Sequence, residues 1–169
     1  MNTSSRFVVA THILVALSGN MRILGQSSPL KSDMLADSVN TNPVVIRRIL
    51  SKLKSANLID SKSGPNGGSV LLKDPAEITL KDIYCAVEEE GDLFHFHYCD
   101  PNQKCPVGLN IKDAMIGTLT EAENATKAVL AKTSLQDLLN DIMQRAGLGT
   151  DISRQEIREE FLAWKEQFT

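Results

Sequence analysis

Apolar residues recur along the first third of the chain at helical spacing and then switch to short alternating runs. From about Ser5 to Ser18, Phe7, Val8, Ile13, Leu14 and Leu17 form one stripe, and Gly19-Asn20 predicts its stop. After a loop containing Ser27-Ser28-Pro29, a short helix is predicted over about Ser32 to Ser38, capped by Ser32, with Met34, Leu35 and Val39 inward. Asn40-Thr41 makes a tight turn. A third helix starts at Pro43, where the missing N–H costs nothing, with Asn42 or Thr41 as its cap. Ile46, Ile49, Leu50 and Leu53 mark its core face; Val44, Arg47, Arg48, Ser51 and Lys52 are predicted to point away from the core. Asn57 ends this helix. Leu58 to Ser61 and Ser69 to Leu72 then read as two strands around Gly64-Pro65-Asn66-Gly67-Gly68, whose glycines permit positive φ and close backbone approach.

The remaining residues are again helical. Asp74-Pro75 breaks the hairpin, and Thr79 with Asp82 signals a capped helix carrying Leu80, Ile83, Tyr84 and Val87. Residues 91–104 have no periodicity and concentrate aromatics, His95, His97 and Cys99. A long helix follows from about Pro106 to Ala131, striped by Val107, Ile111, Ala114, Met115, Thr118, Leu119, Ala122, Ala125 and Val129. A stripe of that length outgrows a small domain and predicts a partner helix. Thr133 with Gln136 predicts the cap of a further helix bearing Leu135, Leu138, Leu139 and Ile142. Gly147 and Gly149 mark a linker, and Asp151 to Thr169 sets Ile157, Phe161, Trp164 and Phe168 on one face of a last helix. The fold class predicted is mainly α with a small β-hairpin wing: a winged helix-turn-helix plus a long dimerisation helix. Its expected segments are 1–78 (DNA-binding domain), 79–104 (linking helix and sensor loop), 105–146 (dimerisation helices) and 147–169 (extra helix).

Charge changes this picture. The whole chain carries −3, but residues 1–73 hold nine Lys/Arg against three Asp/Glu, and residues 74–169 hold nine against eighteen. A basic head on an acidic body fits nucleic-acid binding by the head. The expected DNA contacts are Asn42, Val44, Arg47, Arg48, Ser51 and Lys52 on the third helix, and Lys62, Ser63, Asn66 and Gly67 at the hairpin tip. One of Arg47 and Arg48 would reach a guanine edge, and the other a phosphate. A basic helix face alone is often only a solvated surface. The hairpin directly after the helix, the glycine tip and the charge asymmetry favour DNA. No run approaches the roughly 18 apolar residues that span a bilayer, so no membrane partner is expected and the cytoplasm is the expected compartment.

The stretches SRFVVATHILVAL, NPVVIRRIL, GPNGG, EITLKDIYCAVE and CPVG occur in this order. In this arrangement the chain resembles the Rrf (type two) family of bacterial winged-helix regulators over about residues 4–145. The resemblance implies a homodimer whose long helices cross between subunits, with two wings on a palindromic operator in double-stranded DNA, acting in most members as a repressor.

Several members of that family hold an iron–sulfur cluster on three cysteines in the loop before the long helix. This chain departs from the pattern. Only Cys99 and Cys105 lie in that loop, and Cys85 sits on the preceding helix. No cofactor is therefore expected. The residues left for a metal are His95, His97, Cys99 and Cys105, which could ligate zinc, although H-x-H-x-C is not a standard zinc spacing. Cys105 precedes the N-terminus of the long helix, which lowers a thiol pKa. With Cys99 as a resolving partner it forms a candidate redox sensor; an unreactive capping cysteine is the alternative.

No catalytic constellation is present. GPNGG lacks a following Lys-Ser/Thr and stands in a hairpin, so it is no phosphate loop. His12 reads as a core or interface histidine, and a Cys105 pair with His95 or His97 lacks an oxyanion site. The protein is expected not to be an enzyme. The competing function is a protein-interaction module whose winged helix has lost DNA binding.

Overall fold

A computed structural model describes residues 5–24, 29–62, 64, 67–88, 94 and 99–146, and helical positions 155, 158, 159, 162, 163 and 166. The expected contacts Ser63 and Asn66, the candidate ligands His95 and His97, the linker glycines Gly147 and Gly149, and Ile157, Phe161, Trp164 and Phe168 lie outside the described residues.

The fold is helical with one antiparallel hairpin, in the order α1 (Arg6–Leu24), α2 (Ser32–Val39), α3 (Pro43–Ser55), β1 (Ile59–Lys62), β2 (Gly68–Leu71), a 3-10 turn (Pro75–Glu77), α4 (Leu80–Val87), α5 (Pro106–Leu130) and α6 (Leu135–Arg145). One core joins α1, α2, α3, the hairpin, α4 and α6. Ile13, Leu14 and Leu17 meet Leu35, Ile46, Leu53, Ile83, Leu135 and others with almost no exposure. Each such burial is worth roughly 1.5–3 kcal/mol, so the four anchors of α3 fix it as a platform. Phe7 and Tyr84 add an edge-to-face pair between α1 and α4, with ring centroids 5.8 Å apart.

The first helix overruns its expected stop. It continues past Ser18, straight through Gly19 and Asn20, and ends at Leu24. The reason is packing. α6 lies against this turn, with Leu139 3.8 Å from where a Gly19 Cβ would stand, and Ser18 and Asn20 are buried, which outweighs a propensity cost of about 1 kcal/mol. Three further expectations change. Val8 is exposed rather than part of the buried stripe. His12 is also exposed, with Nε2 3.0 Å from the Ser38 hydroxyl on α2. α1 itself has the length and mean hydropathy (1.6) to cross a bilayer, contrary to the sequence expectation, yet Ala10, Ile13, Leu14 and Leu17 are core residues.

Caps set the other boundaries. The Asn42 side chain accepts the Val44 N–H at 2.8 Å and Pro43 follows it, as expected. α2 begins after Lys31 with no side-chain cap, so Ser32 is not its cap. Asn40 and Asn57 close α2 and α3 in the left-handed region, at φ 55° and 56°. Thr79 and Asp82 form a full capping box. On α6 the box is Ser134 with Asp137, one residue beyond the Thr133–Gln136 expectation. Backbone pairing decides it: Leu135 N–H donates to the Ile78 carbonyl at 2.7 Å and Leu80 N–H to the Thr133 carbonyl at 3.0 Å. The starts of α4 and α6 are thereby tied together, and α6 joins the winged core rather than only extending α5.

The hairpin pairs Ile59 with Leu71 through Lys62 with Gly68. Leu30 adds a short third partner: its N–H donates to the Ser69 carbonyl at 3.1 Å, and Ser69 N–H returns a bond at 2.8 Å. Gly68, at φ 148°, passes so close that a Cβ would stand 2.5 Å from the Leu30 carbonyl oxygen. Gly68→Ala is expected to destabilise the protein by roughly 1–3 kcal/mol, read as a lower urea midpoint. A wild-type midpoint would show that this approach is not constrained.

Candidate nucleic-acid interface

α3 presents its polar face beside the hairpin. At about 100° per residue, Arg47, Ser51 and Lys54 fall on one stripe, with Val44 and Arg48 to one side of it. Val44, Arg47, Arg48 and Ser51 are exposed. Between this stripe, the start of α2 and the hairpin lies a cleft of about 560 Å³, whose cations are Lys31, Arg47, Lys54 and Lys62. Arg47 pairs across the helix-turn-helix with Asp33 at 3.2 Å. Lys54 pairs with Asp60 at 3.0 Å and donates to the Ser61 carbonyl. That Lys54 hydrogen bond, with the Ser61 N–H, holds the Asp60 carboxyl below its usual pKa.

One expected contact is placed elsewhere. Lys52 lies roughly 140° around the helix from Arg47, and its ammonium donates to the Val87 carbonyl at the end of α4, 2.9 Å away. Gly67 lines the cleft, though it is buried and its N–H donates to the Gly64 carbonyl within the turn. Asn42 is exposed, but its side-chain oxygen is committed to the cap. Lys62 does line the cleft. Sequence reasoning missed Lys31, Asp33 and Lys54. Lys54 was detectable, because it follows Arg47 by two helical turns on the same stripe.

The cysteine segment is built on Asn102. Its carbonyl accepts the Cys105 N–H at 3.0 Å, its side chain accepts the Lys104 N–H at 2.9 Å, and Asp100 pairs with Lys112. Gly108 makes room for it, since a Cβ there would meet the Asn102 carbonyl. The Gly108 and Val107 N–H groups lower the Cys105 thiol pKa below its ordinary value. Cys85, Cys99 and Cys105 are all exposed thiols.

α4 ends in a second tether. Glu88 Oε1 accepts the Phe7 N–H at 3.2 Å and Oε2 pairs with Arg6 at 2.6 Å. With Lys52 on Val87, the point where the cysteine loop begins is fastened to both α1 and α3.

Comparison with known proteins agrees with this geometry. The family described as "Rrf2: Iron-dependent Transcriptional regulator" matches residues 3–141. YwnA of Bacillus subtilis, a candidate HTH-type transcriptional regulator, is 42% identical over 139 residues, covering 82% of this chain and 98% of its own. A crystal structure of a candidate DNA-binding protein is 39% identical, covers 80% of this chain and 100% of its own, and superposes with a TM-score of 0.63. The IscR structure from T. potens shares the fold at 16% identity, with a TM-score of 0.61 over 86% of this chain and 90% of its own. Among the described residues no three His, Cys, Asp or Glu side chains come together to hold a metal.

Proposed function

The chain belongs to the Rrf2 family of transcriptional regulators, and on that premise we propose that it is a homodimeric repressor which reads a palindromic operator and responds to oxidation at Cys99 and Cys105. Its relatives are regulators, not enzymes. The observation that carries the reading is the basic cleft between α2, α3 and the hairpin, beside the exposed Arg47–Arg48 face. α3 would enter the major groove and the hairpin the minor groove, with the phosphate strand between them in the cleft. Acting on bacterial DNA, the protein would work in the cytoplasm. The working segments are 1–78 for DNA, 79–104 for the linking helix and sensor loop, 105–146 for dimerisation with α6 shared by the core, and 147–169 as an appendage.

The signal step balances simply. The Cys105 thiolate attacks a peroxide, taking one oxygen as a sulfenic acid and releasing hydroxide or alkoxide. The Cys99 thiol then displaces water to form a disulfide. Because the Cys105 pKa is lowered, more of its reactive thiolate is present at neutral pH than for an ordinary cysteine, and that thiolate is lost as pH falls through the lowered value. Lys52 and Glu88 give the rearranged loop a route to α3 and α1.

The test is selection of bound sequences from a random duplex pool. An inverted repeat with half-sites about one helical turn apart is expected. No enrichment would favour the interaction-module reading, and a single unrepeated half-site would remove the dimer. Peroxide is expected to weaken operator binding in the wild type but not in Cys105→Ser; equal affinity of reduced, oxidised and variant protein would remove the switch.

A further inference from the structure

Among the described residues lining the cleft, Asp33 is the only acid. It stands where phosphates would pass, so on charge alone it opposes DNA. It is not needed for packing: α2 is held by Met34, Leu35 and Ala36, while the Asp33 side chain is 63% exposed. Its partner is Arg47, 3.2 Å away and 59% exposed. A pair this exposed adds little to folding, but it fixes the direction of a planar guanidinium. Arginine carries several N–H donors in a rigid fork, so one edge can stay on Asp33 while another faces a base.

We propose that Asp33 is a specificity-determining residue that orients Arg47 toward a base edge and withholds it from the phosphates of non-cognate DNA. The assignment rests on the DNA-binding reading above. On a cognate site Arg47 keeps Asp33 and adds the base. On other DNA it gains a phosphate only by leaving Asp33, and the carboxylate then faces the strand without the guanidinium.

The test compares the selected operator with a scrambled duplex over a salt series, using wild type, Asp33→Asn, Arg47→Met and the double variant. Asp33→Asn is expected to tighten scrambled-DNA binding about tenfold and steepen its salt dependence by about one phosphate contact. Operator affinity is expected to hold or fall, so discrimination drops by about tenfold or more. In the Arg47→Met background the same change should tighten both duplexes equally. If Asp33→Asn tightens both equally with Arg47 present, or changes neither, the assignment is overturned while the DNA reading stands. A wild type that binds no duplex overturns both.

Discussion

Changing Arg47 and Arg48 together to alanine is expected to weaken operator binding by at least about 100-fold while leaving the protein folded. One bidentate base contact is worth roughly 1–3 kcal/mol, and loss of a phosphate contact also flattens the salt slope by about 0.9. In a dimer both losses occur twice. Folding should survive because α3 is anchored by Ile46, Ile49, Leu50 and Leu53 on its other face, and alanine favours helix. Anisotropy titrations at several salt concentrations, with a thermal melt, provide the check. Operator affinity within about threefold of wild type and an unchanged salt slope would remove α3 as the reading helix.

Ile111→Glu with Met115→Glu is expected to give a folded monomer whose operator affinity falls by about 10²–10⁴, the range lost when two linked half-site contacts become independent. The 25-residue α5 has no buried residue. Val107, Ile111, Met115 and Val129 are exposed along one side of it, Val107 at 68%. Burying such side chains against a second α5 would contribute roughly 1.5–3 kcal/mol each, and a carboxylate in that seam would lose its hydration without a partner. The core of α1, α3, α4 and α6 does not include the two positions, so the helical circular dichroism should persist. Light scattering that still reports a dimer, with operator affinity intact, would put the interface elsewhere.

What the sequence made legible was local. Asn42-Pro43 and Thr79-x-x-Asp82 marked two helix starts because caps act within four residues, and the Ile46–Leu53 stripe marked the buried face of α3. What it hid depends on distant partners. Gly19-Asn20 reads as a stop until α6 lies against it. Thr133 with Gln136 reads as the cap until Leu135 pairs with Ile78, and Ser134 with Asp137 takes that place. Lys52 reads as a DNA contact and Lys54 does not, until the end of α4 claims the first and the cleft the second. Asp33 and Arg47 stand on different helices, and only the turn between α2 and α3 brings them together.

The joint between the starts of α4 and α6 has a mechanical consequence. α5 leaves that joint as a rod about 37 Å long, with Cys105 at its far end. A tilt of about 5° at the joint moves the far end by about 3 Å. In the proposed dimer the loop therefore works on the long arm of a lever and the winged head on the short arm, so a rearrangement of a few ångströms at Cys105 is geared down to a small, forceful change of angle at the DNA.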